Sequence, residues 1–319
     1  MCEEMDQDTA KRLLSEGASF VFLGVPEETQ FGIDMKCWNT EEDFRGMKMI
    51  PPGLHYVHYS AVNQDTGDIG HRSGFLHFFK KGDFVVRMWD KKTEGVSMQE
   101  VSEESIKRLR TNFIQVQKHL APYPFETSDV WKLLTSQITG TSLRFTEISR
   151  NLYPDGSEPQ EITKHCLDQT YTLELMLRKY DDPLHIIGEL QFAYICFLIG
   201  HSLDAFEQWK AIFALLCGCD RAMNQNNYVP LFCQFIRVIE AQIEEIPKEF
   251  LADIVANKNW VYKTISNFFR TCYVSKVESR LMTLIDRLKD NLTNNLHWDF
   301  SLVDSEDEDE RPVVVCLDE

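Results

Sequence analysis

No stretch of this 319-residue chain is apolar for long enough to cross a bilayer as a helix, which takes about 20 residues. The strongest apolar run, Ile186 to Gly200, falls short of that and is interrupted by Glu189 and Gln191. Clusters of cations are lacking too: 33 Lys and Arg stand against 50 Asp and Glu, for a net charge of −17. Binding to a phosphate backbone draws on clustered cations and counterion release, so the simplest kinds of nucleic-acid binder are excluded. The first residues, MCEEMDQD, are acidic where a secretory signal would be basic and then apolar, so no export is expected. The nine cysteines, an odd number, show no framework spacing and read as small buried residues in a reducing compartment; Cys217 and Cys219 are the closest pair. Nothing forms an H-E-x-x-H pair, a phosphate-cradling glycine loop or a nucleophile elbow.

What is present suffices for about two domains with substantial cores, since 43% of the residues are hydrophobic and 12% aromatic. Six of the acids are concentrated in Asp304 to Glu310, yet the remainder stays acidic and suits a basic protein partner.

A helix is expected from about Asp6 to Glu16, stopped by Gly17. The pattern then turns to period two. Ser19–Leu23, Leu54–Val62, Gly74–Phe79 and Phe84–Trp89 are short and rich in Phe, Val and Tyr, with turn-forming stretches between them. Lys80-Lys81-Gly82-Asp83 reads as a tight hairpin, so residues 1–125 form an antiparallel β-rich domain. Its closing helix, Ser102 to Leu120, is capped by Ser102 and carries Ile106, Leu109, Phe113, Val116 and Leu120 on one face. Ala121-Pro122-Tyr123-Pro124 ends that helix, and residues 126–142 form a linker with one short helix around Val130 to Leu134. Residues 143–300 read as an irregular all-α bundle or short solenoid, with helices over 161–180, from Asp182-Pro183 to Gly200, from Ser202 to Cys217, and over 228–243, 248–256, 260–273 and 276–296. Residues 301–319 are an acidic tail. The fold class is α+β.

Few side chains offer chemistry. His55 and His58 lie three apart on a strand, so they point to opposite faces and read as satisfied or surface histidines more readily than as metal ligands. His165, His185 and His201 have no partners at ligand spacing, and no catalytic residue, metal or cofactor is assigned. Phe44 to Gly53 contains Pro51-Pro52-Gly53, which forces an extended chain and then a sharp turn: a rigid strand connection, with a partner-facing loop as the alternative. Trp131, Trp209, Trp260 and Trp298 read as core. Glu189 and Gln191 in an apolar helix need partners and fix helix packing, or else meet a partner protein. In the tail, Pro312-Val313-Val314-Val315 on an acidic tether can add as a strand to a sheet edge, or be simply disordered; Ser305, before Glu306-Asp307-Glu308, suits an acidophilic kinase.

Several strings, taken in order, resemble the AAR-two pre-mRNA splicing factor family. They are Phe31-Gly32-Ile33-Asp34, Arg45 to Gly53, His58-Tyr59-Ser60, Pro122-Tyr123-Pro124 and Glu161 to His165, then Gly188 to Ala193, Ala205 to Lys210, Trp298-Asp299-Phe300 and Pro312 to Val315. The resemblance implies a non-catalytic assembly factor of the U5 small nuclear ribonucleoprotein that binds the Prp-eight scaffold at its RNase H-like and Jab/MPN-like domains. It also implies a β-rich domain followed by a VHS-like helical one, and a cytoplasmic and nuclear location. Pro312, Val313, Val314, Val315, Trp298 and Phe300 become the candidate partner contacts; Ser305 stays a candidate phosphorylation site on its acidic context alone and matches no family site. Vertebrate family members have a longer inter-domain segment than 126–142. A VHS-like trafficking adaptor is the alternative reading.

Overall fold

The computed structural model describes residues 7–63, 66–146, 148, 152–246, 260–275 and 277–300. The chain divides into two compact units. One holds the residues up to Thr135 together with Ile195–Ser202; the other holds Ser136–Tyr194 and the residues from Leu203 onward.

The first unit opens with α1 (Gln7–Glu16) and contains two sheets. Strands β1 (Ala18–Leu23), β4 (Gly46–Ile50), β7 (Phe84–Asp90), β8 (Gly95–Val96) and β9 (Ala121–Pro122) form one, in the order β8-β7-β1-β4-β9. Strands β2 (Gln30–Ile33), β3 (Lys36–Asn39), β5 (Gly53–Ser60) and β6 (Ser73–Phe79) form the other, in the order β3-β2-β5-β6, antiparallel throughout. The five-stranded sheet is mixed: β1 runs parallel to β7 and β4 parallel to β9, while β1–β4 and β7–β8 are antiparallel.

Phe20 and Phe22 of β1, Phe31 and Ile33 of β2, Val57 and Tyr59 of β5, and Trp89 of β7 share one apolar core, as expected where inner faces alternate along strands. The opposite side of β1 meets α2 (Glu103–Thr111) and α3 (Phe113–Val116), whose Ile106, Leu109, Phe113 and Val116 pack on Val21, Val86 and Leu120. With both faces covered, β1 reads as a nearly continuous apolar run. Ser102 caps α2 by accepting from the Ser105 N–H. The expected single helix over 102–120 breaks at Asn112 and ends in a 3-10 turn at Gln117–His119.

Two further expectations are corrected. Lys80–Asp83 is a turn, with the Asp83 N–H on the Lys80 carbonyl, but it does not make a hairpin. The Ser19 N–H donates to the Asp83 carbonyl, so β7 joins β1 in one sheet while β6 stays with β5 in the other. The Phe44–Gly53 segment is more than a connection: residues 46–50 are strand β4, and Pro51-Pro52 carries the chain from one sheet to the other. Met49 sits at φ 63 where β4 bulges against β1.

Helix α4 (Ser128–Thr135) also belongs to the first unit; Trp131 is buried and its indole N–H donates to the Leu54 carbonyl at 2.7 Å. The division between units therefore falls inside the 126–142 stretch, most of which is ordered.

The second unit is helical: α5 (Pro159–Leu167), α6 (Thr170–Leu177), α7 (His185–Leu198, as far as Tyr194), α8 (Leu203–Cys217), α9 (Asp220–Met223), α10 (Val229–Glu245), α11 (Trp260–Ser275) and α12 (Ser279–Leu296). Pro159 occupies the first turn of α5. The expected helix over 161–180 is two helices. Asp168 causes the break, since its carboxylate accepts from the Thr170 N–H and hydroxyl and pairs with Arg221. The helix expected over 248–256 lies outside the described residues. No helix among the described residues is long and apolar enough to cross a membrane.

Candidate functional site: sealed polar networks in each unit

The hairpin between β2 and β3 places Asp34 in the left-handed region, at φ 53, fully buried. Asp and Asn tolerate that conformation better than most residues. The turn aims the carboxylate back under β5. Its Oδ1 accepts from the Tyr56 N–H at 2.9 Å, and its Oδ2 meets both the Tyr123 hydroxyl and His55 Nδ1 at 2.6 Å. His55 Nε2 donates to the Pro51 carbonyl at 2.8 Å. Burial, and then the Asp34 charge and hydrogen bond, hold the Tyr123 phenol far above its usual range.

His58 approaches the same residue from the other face of β5, donating from Nε2 to the Asp34 carbonyl at 3.3 Å. Burial, with Arg72 beside it, lowers its pKa to about 4, so it is neutral. Its ring lies across Gly32, where a Cβ would overlap the ring atoms and stand 2.6 Å from the Lys36 carbonyl. The two histidines thus face opposite sides, and both are built into the strand framework.

An Asp, a His and a Tyr in contact have the elements of acid–base chemistry, but all three are buried and each oxygen and nitrogen of the Asp34–His55–Tyr123 set is spent on a partner. The arrangement ties β2, β5 and the segment after β9 together. In sequence Asp34 stands out only as the end of Phe31-Gly32-Ile33-Asp34, and nothing local shows that residues 34, 55 and 123 meet.

The second unit has its own networks. Glu189, 1% exposed, accepts from the Thr146 hydroxyl at 2.7 Å, the Tyr180 hydroxyl at 3.0 Å and the Thr146 N–H at 3.3 Å. Two positions along α7, the Gln191 carbonyl oxygen accepts from the Gln137 N–H at 2.8 Å and its amide donates to Ser136 Oγ at 3.2 Å. Gly188 allows the close approach, because a Cβ there would stand 2.6 Å from Ser142 Oγ. These groups therefore hold the 136–146 segment against α7, in addition to fixing helix packing. Trp209 donates to the Gln242 side chain at 2.9 Å, and Tyr194 donates to the Gln242 carbonyl at 2.5 Å. Glu240 is held by Arg287 and Asn291 beside a cavity of about 410 Å³ between α10 and α12.

Trp298 and Phe300 are 3% and 2% exposed and pack on Tyr262 and, for Phe300, Phe269. The Tyr262 hydroxyl donates to the Asp299 carbonyl between them. Both rings are core of the helical unit. Trp131 and Trp209 are likewise buried, whereas Trp260 is 37% exposed. Ser305 and Pro312 to Val315 lie outside the described residues. Among the described residues, no three His, Cys, Asp or Glu side chains converge to hold a metal.

Comparison with known proteins agrees with this two-part build. The model of the AAR2 N-terminal domain matches residues 16–147, and that of the AAR2 C-terminal repeat region matches residues 145–301. The human protein named Protein AAR2 homolog is 32% identical over 380 residues, covering 99% of this chain and 98% of that protein. The Caenorhabditis elegans protein of the same name is 28% identical over 89% of this chain and 95% of its own length. The Saccharomyces cerevisiae protein called A1 cistron-splicing factor AAR2 is 21% identical over 92% of this chain and 96% of its own length.

Proposed function

We propose, from the premise that this chain belongs to the AAR2 family, that it is a non-catalytic factor in pre-mRNA splicing that works by occupying surfaces of another protein. The observation that carries this reading is similarity along the whole chain, in both units, to a set of relatives that includes a yeast protein named as a splicing factor. The structure adds support of a different kind. The Asp34–His55–Tyr123 and Glu189–Thr146–Tyr180 sets are spent on holding strands and helices in place.

In the finer form of the proposal, the partner is the Prp-eight scaffold, through its RNase H-like and Jab/MPN-like domains, during U5 particle assembly in the cytoplasm and nucleus. The tail residues Pro312 to Val315 add to a partner's sheet as a strand, and phosphate on Ser305 adds about 1.5 to 2 negative charges beside that strand. Competition with later partners needs only modest differences in affinity, since about 1.4 kcal/mol is tenfold.

The test is co-purification of the tagged full chain with the scaffold's RNase H-like domain from extract and from purified components. Association at micromolar concentration is expected. Failure to associate, or turnover of a small substrate by the purified chain, overturns the reading.

A further inference from the structure

The loop that leads into α5 holds the one Asp-Gly pair of the sequence, Asp155-Gly156, and no Asn-Gly pair occurs. Both residues are exposed. Neither the Asp155 carboxylate nor the Gly156 N–H has a hydrogen-bond partner among the described residues. Other aspartates at turns are engaged. Asp34 accepts from Tyr56 and Tyr123, Asp83 from the Lys80 N–H, Asp168 from Thr170, and Asp182 from the Leu184 N–H. Gly156 adds no side chain beside its own nitrogen, and even a Cβ built there would meet nothing within 4 Å, so the approach to that nitrogen is open.

The backbone sets when the two groups can meet. The Ser157 N–H donates to the Pro154 carbonyl at 3.2 Å, and of the two residues between them only Gly156 has a positive φ, at 78. That is a type II turn, in which the residue before the glycine has a ψ of about 120°. A five-membered ring between the Asp155 side chain and the Gly156 nitrogen needs ψ on the negative side, so the turn must open before the ring closes. Two bonds oppose opening: that of the Ser157 N–H, and that of the Ser157 hydroxyl, which donates to the same carbonyl at 2.8 Å.

We propose that Asp155 is a modification site, converting to isoaspartate in the folded chain at a rate gated by Ser157. The product is a substrate for a carboxyl methyltransferase that uses S-adenosylmethionine. The Gly156 nitrogen attacks Asp155 Cγ and gives up its proton, the carboxyl gives up an oxygen, and one water leaves. Water then adds to a ring carbonyl. Opening at the main-chain carbonyl routes the backbone through Cγ, with one more methylene in it and a free α-carboxylate. The transferase moves a methyl from the donor's sulfonium to that carboxylate, and loss of methanol re-forms the ring. No oxidant or reductant enters. The lengthened backbone disrupts the Ser157–Pro154 bonds and loosens the entry into α5, where the Glu158 N–H donates to the Glu161 carboxylate at 3.2 Å. This chemistry is independent of the reading of the chain as a protein binder.

The test ages the full chain in heavy-oxygen water at neutral pH, then digests it with trypsin in ordinary water. Residues 151–164 form one tryptic peptide in which Asp155 is the only aspartate, so heavy oxygen retained there locates the reaction. The same peptide should accept label from methyl-labelled S-adenosylmethionine through an isoaspartyl methyltransferase, and the two signals should rise together. Asp155→Glu can close only a larger, slower ring and should remove both signals at unchanged melting temperature. Ser157→Ala removes one of the two bonds that hold the turn and should speed the reaction about two- to tenfold. If Ser157→Ala also melts earlier, Ser157→Thr restores the hydroxyl and should return the rate to that of the unmodified chain. A chain that takes up no heavy oxygen in 151–164 while the free peptide of that sequence does overturns the proposal. So does equal label in Asp155→Glu, uptake of oxygen without methyl acceptance, or a Ser157→Ala rate equal to that of the unmodified chain.

Discussion

Tyr123 donates its hydroxyl to Asp34 across eighty-nine positions of sequence, at 2.6 Å and out of reach of solvent. The bond closes the first unit: Asp34 follows directly on β2, and Tyr123 follows directly on β9, at the far edge of the other sheet. Tyr123→Phe leaves Asp34 with two donors and should destabilise the unit by about 1–3 kcal/mol. Asp34→Ala strands the Tyr56 N–H, His55 and Tyr123 together and should cost about 3–5 kcal/mol. Denaturant unfolding followed by Trp fluorescence measures both. Equal small effects would show that the three contacts do not act as a set.

Gly32 and His58 give a second test. Gly32→Ala forces a methyl into the His58 ring and toward the Lys36 carbonyl, and should destabilise by about 1–3 kcal/mol or more. At Gly140 a Cβ meets nothing within 4 Å and φ is not positive, so Gly140→Ala should be neutral or slightly stabilising. A thermal melt of the two variants side by side decides the matter.

The pH dependence has a definite sign. His58 has its folded pKa lowered from 6.5 to about 4, so the folded state binds fewer protons than the unfolded one between those values. Its stabilisation is complete above pH 6.5 and is lost as pH falls toward 4, on the order of 3 kcal/mol in all. Asp220, raised from 3.8 to about 6 by burial and by Asp168, acts the other way and relieves a cost as pH falls through the same window. Subtracting the His58→Asn stability profile from that of the unmodified chain isolates the first effect. A flat difference between pH 6.5 and 4 would refute the assignment.

In the helical unit, Glu189→Ala strands the Thr146 and Tyr180 hydroxyls and should cost about 1–3 kcal/mol for each donor left without an acceptor. Because Thr146 is one end of the 136–146 segment, limited proteolysis should also cut there sooner. Unchanged cleavage in that segment would separate the carboxylate from the job assigned to it.

Trp298 and Phe300 should separate from the tail by measurement. Either residue changed to Ala opens a core position and should cost about 3–5 kcal/mol of stability. Deleting residues 312–319 should leave the melting temperature alone and weaken scaffold binding. A tail deletion that binds as before would remove strand addition by Pro312 to Val315.

Much of this architecture is written locally and can be read locally. Short runs rich in Phe, Val and Tyr mark β1, β5, β6 and β7, Ser102 marks the start of α2, and Pro159 marks the start of α5. What escapes is any decision taken between distant residues. Lys80–Asp83 has the chemistry of a hairpin turn, but the Ser19 N–H captures the Asp83 carbonyl and sends β7 to the other sheet. Strand β9 is two residues long and one of them is a proline, too little to signal a strand without β4 beside it. The break at Asp168 depends on Thr170 and on Arg221, more than fifty residues away. Asp34 looks like an ordinary turn aspartate until His55 and Tyr123 are seen to converge on it.

The inclusion of Ile195–Ser202 in the first unit has a consequence for synthesis. Arg72 donates to the Ile199 carbonyl and the Tyr56 hydroxyl lies beside Gly200, so the four-stranded sheet finds part of its cover in residues translated long after its strands. On the ribosome this unit stays incomplete until Ser202 has emerged, by which time α5, α6 and α7 are also out of the exit tunnel. A nascent chain halted at Thr135 should therefore hold its sheets loosely and recruit chaperones, and one halted well past Ser202 should release them.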